Sequence, residues 1–252
     1  MTICILLAGG SGTRTGIDRP KQFLEVQGKP IFSYSLETLE SMEEIDYIII
    51  VVLETWKDYV EEWIHKLGYN KSKYIVHGGK SRQHSIYNGL IKAREFMKDD
   101  DIVMVHDAAR PLLNRDVVRT AITMAEKTGA ALPVVKENDA LYMSKDDINV
   151  EQNLSKTGLY RGQTPVCVRF GDYYNLHTSA KDEDLTRATG SCTLLFQNNI
   201  KVAMVDGDEM TFKVTSKKDV IMFTGYLKIK EKTICTKTGE MKNRQHFELE
   251  RD

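Results

Sequence analysis

The stretch LLAGGSGTRTGIDRPKQF, Leu6 to Phe23, sets glycines and small residues directly after an apolar run, then adds Arg14, Pro20 and Lys21. Glycine has no Cβ, so backbone N–H groups come close to a ligand and φ can be positive. Successive N–H groups in such a loop form an anion-binding concavity whose usual occupant is a phosphate. Arg14 and Lys21 would supply full charges where the backbone supplies only dipoles. A second glycine stretch, Gly78-Gly79-Lys80-Ser81-Arg82, precedes a helix expected to begin near Gln83. A helix N-terminus offers unpaired N–H groups and roughly half a positive charge. In VHDAARPLL, His106-Asp107 ends an apolar run and Arg110-Pro111 follows. An aspartate there is placed to hold a divalent ion, since magnesium prefers one or two carboxylates plus substrate phosphates. The simpler alternative is an Asp107–Arg110 ion pair that braces the loop. His106 reads as structural, because attack by a phosphate needs no strong general base.

Other chemistries find no support in the residues. There is no G-x-S-x-G elbow and no Ser/Cys–His arrangement for acyl transfer. The first loop lacks G-x-x-x-x-G-K-[ST], which disfavours a P-loop kinase, and it fits G-x-G-x-x-G poorly. A dinucleotide-dependent oxidoreductase would need an acidic ribose clamp after the second strand, where only Glu54 stands, a surface residue by its setting. Cys4, Cys167, Cys192 and Cys235 are far apart with no C-x-x-C pair, which disfavours a zinc site or disulfide framework and suits reduced thiols.

These loops need strands and helices to carry them. Thr2–Ala8 and Ile45–Leu53 are continuously apolar, the pattern of strands buried on both faces. Tyr74–Val76, Ile102–His106 and Ala130–Val135 are further strands. Helical spacing covers Gly28–Met42, Thr55–Leu67, Ser81–Met97 and Asn114–Lys127, with Asn114 as cap. This alternation implies right-handed βαβ crossovers and a mainly parallel sheet, whose ligands sit at the strands' carboxyl ends. The glycine loop, Gly78-Gly79 and Asp107 would then share one rim. Lys136–Lys156 is polar and aperiodic, and Ala140–Ser144 with Asn149–Val150 is expected as the two arms of a projecting hairpin. Regular structure resumes at Thr164–Phe170, a helix near Asp182–Gln197, and strands Lys201–Asp206 and Thr211–Val214. Ser216 with Asp219 forms a capping box for a final helix to about Lys230. The expected organisation is one domain over 1–230 and a charged tail over 231–252. The chain has 252 residues, 35 Lys+Arg against 36 Asp+Glu, and a formal net charge of −1, so nothing global points to nucleic acid. No apolar run approaches the ~20 residues of a membrane span, and no signal peptide is evident, so a cytoplasmic protein is expected.

Taken together and in order, LLAGGSGTRTGIDRPKQF, GGKSRQHSIYNGL, VHDAARPLL, YRGQTP and TFKVTSKKD resemble the motifs of the methylerythritol-phosphate and ribitol-phosphate cytidylyltransferases, over roughly residues 3–227. The resemblance implies an α/β, Rossmann-like nucleotidyltransferase fold. It also implies CTP as co-substrate, Mg²⁺ as cofactor, a small polyol phosphate as acceptor, and a homodimer through an arm at about 136–160. By the same resemblance Arg14 and Lys21 hold the triphosphate, and Asp107 lies close to magnesium and the ribose. Lys213 reaches the acceptor phosphate and α-phosphate. Ala8, Gly9, Gly10, Gly12, Gly79, Lys80, Ser85 and Ala108 fall at nucleotide-binding positions. Arg110, Lys156, Arg161 and Thr189 fall on the acceptor side. The expected catalytic set is Arg14, Lys21, Asp107 and Lys213.

The chain departs from the family pattern mainly in the acceptor half. Lys80 stands where an acid or small polar residue is usual, Asp139-Ala140 replaces Asp-Thr, and Thr189-Gly190 replaces Thr-Asp. Thr211-Phe212-Lys213 replaces Asn-Ile-Lys, and Lys156 replaces an arginine. YRGQTP leans to the ribitol-phosphate branch. The alternatives are 2-C-methyl-D-erythritol 4-phosphate as acceptor, or a non-catalytic CTP-binding regulator that kept the loop and lost the chemistry.

Overall fold

The computed structural model describes residues 1–10 and 19–230. The central sheet is built on β1 (Thr2–Leu7), β4 (Tyr47–Val52), β5 (Tyr74–His77) and β6 (Ile102–Asp107), all parallel to their neighbours in the order β5-β4-β1-β6. Between β1 and β4, a short hairpin pairs β2 (Glu25–Val26) with β3 (Lys29–Pro30). The sheet continues through β11 (Val166–Arg169), antiparallel to both β6 and β7 (Ala130–Lys136). β10 (Tyr160–Gly162) pairs with the other half of β7 on the same edge, and β12 (Ala203–Asp206) runs parallel along its far edge.

Alternation along the strands makes two cores. Cys4, Leu6, Ile48, Ile50 and Met104 face one cluster with α1 (Ile31–Glu40), α2 (Lys57–Leu67) and α4 (Arg115–Thr128). Ile3, Ile5, Ile49, Val103 and Val105 face the other, with α3 (Arg82–Ala93) and α5 (Phe170–Ser179). Each such fully buried aliphatic contributes about 1.5–3 kcal/mol. A strand covered on both faces must be apolar at every position, which is why these runs read so clearly. Among the described residues no helix is long and apolar enough to cross a membrane.

Local signals in the sequence set the helix ends. The Asn114 side chain accepts hydrogen bonds from the N–H groups of Asp116 and Val117, and Gly129 closes α4 with φ of 88°. The Ser216–Asp219 box opens α8 (residues 217–230): Asp219 Oδ2 accepts from Ser216 N at 2.8 Å, and Ser216 Oγ accepts from Asp219 N at 3.3 Å.

Five expectations need correction. The first helix begins only at Ile31, because Lys29–Pro30 pairs in the hairpin around Gln27 and Gly28. The hairpin of the excursion pairs β8 (Leu141–Met143) with β9 (Gln152–Leu154), so its second arm lies beyond Asn149–Val150. Helix α5 lies where no helix was expected; glycine, asparagine and aromatic residues weaken its propensity, yet burial of Phe170, Tyr173 and His177 on one face stabilises it. The expected helix Asp182–Gln197 is two, α6 (Asp182–Arg187) and α7 (Thr193–Gln197), separated by a loop at 188–192. Thr211–Val214 is not a strand; it is tied to the loop after β6 by Thr211 Oγ1–Leu112 O at 2.9 Å and Val214 N–Ala109 O at 2.8 Å.

Candidate active site

The register sets the rim. Leu7 lies opposite both Val51 and Asp107, and Val52 lies opposite His77, so the loops after β1, β5 and β6 leave the sheet side by side. Arg14 and Gly12 lie outside the described residues, but both flanks of their loop are placed. Gln22, buried in the 3-10 turn Lys21–Phe23, donates from Nε2 to Ala8 O at 2.6 Å and Gly10 O at 2.8 Å. The segment carrying Lys21 is thereby closed onto the end of β1. A Cβ built on Gly9 would lie 3.7 Å from Gly78 Cα and 3.9 Å from Ser85 Oγ, so the two glycine loops and α3 meet. Gly79 admits no side chain, since its Cβ would fall 2.3 Å from His84 Cβ and 2.8 Å from His84 carbonyl carbon. Its N–H donates instead to Ser85 Oγ at 3.0 Å. Lys80 turns outward to Asp182 at 2.5 Å. Ala8, Gly9, Gly10, Gly79, Ser85 and the buried Ala108 thus lie at this rim, with Lys80 held at its outer side.

Asp107 is the electrostatic centre. It is 6% exposed, and its Oδ1 lies 2.6 Å from Arg82 Nη1 while its Oδ2 lies 2.8 Å from Lys213 Nζ. Burial alone would raise its pKa; the charges of Arg82 and Lys213 outweigh that and hold the carboxyl well below the usual carboxylate range. Arg110 is the more distant neighbour, with Nε 3.9 Å from Oδ2, so the simple Asp107–Arg110 brace is not the main pairing. Arg110 donates from Nη1 to Thr211 O at 2.8 Å, but its buried Nε has no hydrogen-bond partner among the described residues. Burial, with a smaller contribution from Arg82, lowers the Arg110 pKa.

His106 is structural. Its Nε2 donates to Arg110 O at 3.1 Å, leaving Nδ1 to accept from Thr164 Oγ1 at 2.9 Å. Both nitrogens are occupied, and burial pulls its pKa down to about 4, so it is a neutral brace. Glu54, beside His77, is 68% exposed, as expected of a surface residue.

A cavity of about 310 Å³ opens from Asp107, Arg82, Arg110 and Lys213. Its far walls are Thr189, Gly190, Cys192, Phe196, Leu132 and Val166, none of them charged. Lys156 and Arg161 are not brought to this cavity: Lys156 donates to Asn138 O at 2.7 Å, and Arg161 pairs with Glu209 at 2.9 Å and Glu137 at 3.2 Å. Sequence reading missed Arg82 as the principal partner of Asp107, Gln22 as the anchor of the first loop, and Ser191, whose Oγ accepts from Arg82 Nη2 at 2.7 Å. Arg82 was readable in principle, one residue past the Ser81 cap and on the rim; Ser191 carried no local signal.

A parallel sheet with glycine loops and a cation-flanked aspartate at its carboxyl rim defines a nucleotidyltransferase. The chain belongs to the family IspD, 2-C-methyl-D-erythritol 4-phosphate cytidylyltransferase, whose family model matches residues 2–229. It is 31% identical over 224 residues to the ribitol-5-phosphate cytidylyltransferase of Streptococcus agalactiae serotype Ia, covering 88% of this chain and 94% of the relative. It is 38% identical over 221 residues to the 2-C-methyl-D-erythritol 4-phosphate cytidylyltransferase of Thermotoga neapolitana, covering 87% and 94% respectively. The crystal structure of 4-diphosphocytidyl-2C-methyl-D-erythritol synthase from Anaerococcus prevotii shares the fold, with a TM-score of 0.75 at 24% identity over 90% of this chain and 96% of that one. The chain is therefore an enzyme of the cytidylyltransferase class, on a Rossmann-like nucleotidyltransferase fold.

Proposed function

We propose that this cytidylyltransferase transfers CMP from CTP to a small polyol phosphate, ribitol 5-phosphate or a related alditol or glycerol phosphate. The products are a CDP-alcohol and pyrophosphate. The observation that carries this reading is a cavity where three cations, Arg82, Arg110 and Lys213, face the single carboxylate of Asp107, and where the buried Nε of Arg110 has no hydrogen-bond partner among the described residues. A buried donor without a partner costs about 1–3 kcal/mol, and an anionic substrate oxygen would satisfy it. The uncharged far walls leave the rest of an acceptor to neutral contacts. The relatives named ribitol-5-phosphate cytidylyltransferase support the same branch.

In the reaction, an acceptor phosphate oxygen forms a bond to the α-phosphorus of CTP while the bond from that phosphorus to the bridging oxygen breaks and pyrophosphate leaves. The attacking oxygen is already ionised, so no base is needed, which suits a neutral, fully engaged His106. Like charges ~4 Å apart repel by about 4 kcal/mol at an effective dielectric of 20. Lys21, Arg82, Arg110 and Lys213, with Arg14 on the first loop, offset that repulsion, and catalysis is chiefly placement and electrostatics.

Asp107 is a single carboxylate, and the described residues form no group of three His, Cys, Asp or Glu that could hold a metal ion. Asp107 would be the residue to hold a magnesium ion bound mainly through substrate phosphates, as magnesium prefers one or two carboxylates beside them. When bound, the ion neutralises phosphate charge. We assign the β8–β9 excursion, with Tyr142 at 60%, Ile148 at 84% and Val150 at 67% exposure, to contact between two copies of the chain. We place the enzyme in the cytoplasm, where CTP is available, and name no nucleic-acid or membrane partner.

The second reading, 2-C-methyl-D-erythritol 4-phosphate as acceptor, is favoured by the 38% identity to the Thermotoga neapolitana enzyme. Pyrophosphate release with CTP, Mg²⁺ and each acceptor decides between them by kcat/KM. Preference for ribitol or glycerol phosphate is the expected result; preference for methylerythritol phosphate overturns the branch assignment.

A further inference from the structure

The loop at 188–192 forms the acceptor wall of the cavity; α6 and α7 hold its two ends, through Ala188 N–Asp184 O and Thr193 N–Gly190 O, and the carbonyls between them also draw on the core. Two adjacent carbonyls on it, Gly190 O and Ser191 O, are held by side chains from the core. Gln83, the residue after Arg82, is 0% exposed and donates from Nε2 to Gly190 O at 2.6 Å. Tyr173 on α5 is likewise 0% exposed, and its hydroxyl donates to Ser191 O at 2.7 Å. His177 stands against both: its Nε2 lies 3.0 Å from Gln83 Oε1 and its Nδ1 2.8 Å from Tyr173 O, and the neutral ring donates to one of these two acceptors at a time. The ring stands at 81° to that of Tyr173, 4.4 Å between centroids.

Burying a glutamine costs desolvation and rotamer freedom unless its bonds are made. Here those bonds fasten α3 and α5 to a wall whose other tie at Gly190 is to Thr193 at the start of α7, through Thr193 N–Gly190 O and Gly190 N–Thr193 Oγ1, both at 3.2 Å. α3 therefore carries three functions: Ser85 accepts from Gly79 N at the nucleotide rim, Arg82 holds Asp107, and Gln83 holds the acceptor wall. Among the described residues the side-chain bonds of Gln83 go to Gly190 and His177 and not to Asp107.

We propose that Gln83, backed by His177 and Tyr173, is a positioning residue that sets the acceptor wall and hence acceptor affinity, independently of nucleotide binding. This rests on the proposed function for the identity of the wall's ligand, but not for the positioning itself. The test is Gln83→Leu, which removes both bonds at similar volume, with Gln83→Glu and Tyr173→Phe beside it. Glutamate keeps an acceptor for His177 but cannot donate to Gly190 O.

Two readouts are needed. Amide hydrogen exchange on the full chain should quicken about tenfold across 188–193 in Gln83→Leu, the effect of one lost hydrogen bond of about 1.4 kcal/mol, while 102–107 is unchanged. Steady-state kinetics should show acceptor KM rising about tenfold with CTP KM within twofold of wild type. Gln83→Glu should behave like Gln83→Leu, and Tyr173→Phe should loosen the same segment if Gln83→Leu fails to fold. Unchanged exchange at 188–193, or acceptor and CTP KM rising together, overturns the proposal. If wild-type enzyme turns over none of the polyol phosphates, the functional reading falls, and exchange alone still decides the positioning role.

Discussion

Asp107→Asn removes one charge and keeps the shape of the side chain, which makes it the sharpest perturbation of the site. The lost attractions can be sized from the distances to Arg82, Lys213 and Arg110, 2.6, 2.8 and 3.9 Å. At an effective dielectric of 20 these are gross terms of about 6, 6 and 4 kcal/mol. Most of that is offset by the cost of desolvating the ions, and breaking a buried pair costs about 3–5 kcal/mol. The Lys213 side chain is 38% exposed and that of Arg82 24%, so water recovers part of the loss. A loss near 2–3 kcal/mol follows, equivalent to roughly 4–12 °C in Tm for a chain of this size. The three remaining cations repel one another, so metal-free pyrophosphate should raise the Tm of Asp107→Asn more than that of wild type. In turnover assays the variant should need more Mg²⁺ and run more slowly. Differential scanning fluorimetry with a pyrophosphate titration, followed by a magnesium titration of kcat, reads all of this. A variant as stable as wild type, with the same pyrophosphate shift and magnesium requirement, would refute the central role given to Asp107.

Lys21→Ala should lower turnover about 10²–10³-fold with the fold intact, by analogy with losing one transition-state donor; near-normal kcat would remove Lys21 from the chemistry. Gly190→Asp should fold, because a Cβ there meets only Thr193 Oγ1 at 3.3 Å, and it should favour acceptors with more hydroxyls, measured as a ratio of kcat/KM between ribitol and glycerol phosphates. Burial holds His106 and His177 neutral with pKa values near 4, against about 6.5 in the unfolded chain. The unfolded state then binds more protons between those values, so stability is full above about pH 7 and falls as pH drops towards 4, by up to ~3 kcal/mol per histidine. Asp107 does not contribute in that window, since its depressed pKa moves its loss to more acidic pH. Urea unfolding at pH 7.5, 6 and 5 checks the slope, and a flat profile contradicts it. Burial pushes the Cys192 thiol up to about 12 and those of Cys4 and Cys167 well above their usual value, so none of the three should react with a thiol reagent at pH 8 until the chain unfolds.

The amino-acid sequence alone determined the parts whose signals are local. Strands such as Ile102–Asp107 are buried on both faces and must be apolar throughout; Asn114 and Ser216–Asp219 cap helices through bonds that span three residues. The glycine loops, Asp107 and Lys213 were legible because close backbone approach and phosphate charge restrict residue type at each position. Only the tertiary structure decided which of these groups meet. Arg82 reaches Asp107 across 25 residues and Lys213 across 106, and no periodicity records such a distance. The same holds for the break at 188–192 and for α5, whose weak propensity is overridden by burial of Tyr173 and His177. Within one chain Lys156 and Arg161 bond to Asn138, Glu137 and Glu209, contacts that no local signal records. Local preference is encoded within one turn of chain, whereas a site is a set of contacts between distant segments, and those are fixed only when the two cores close around the sheet.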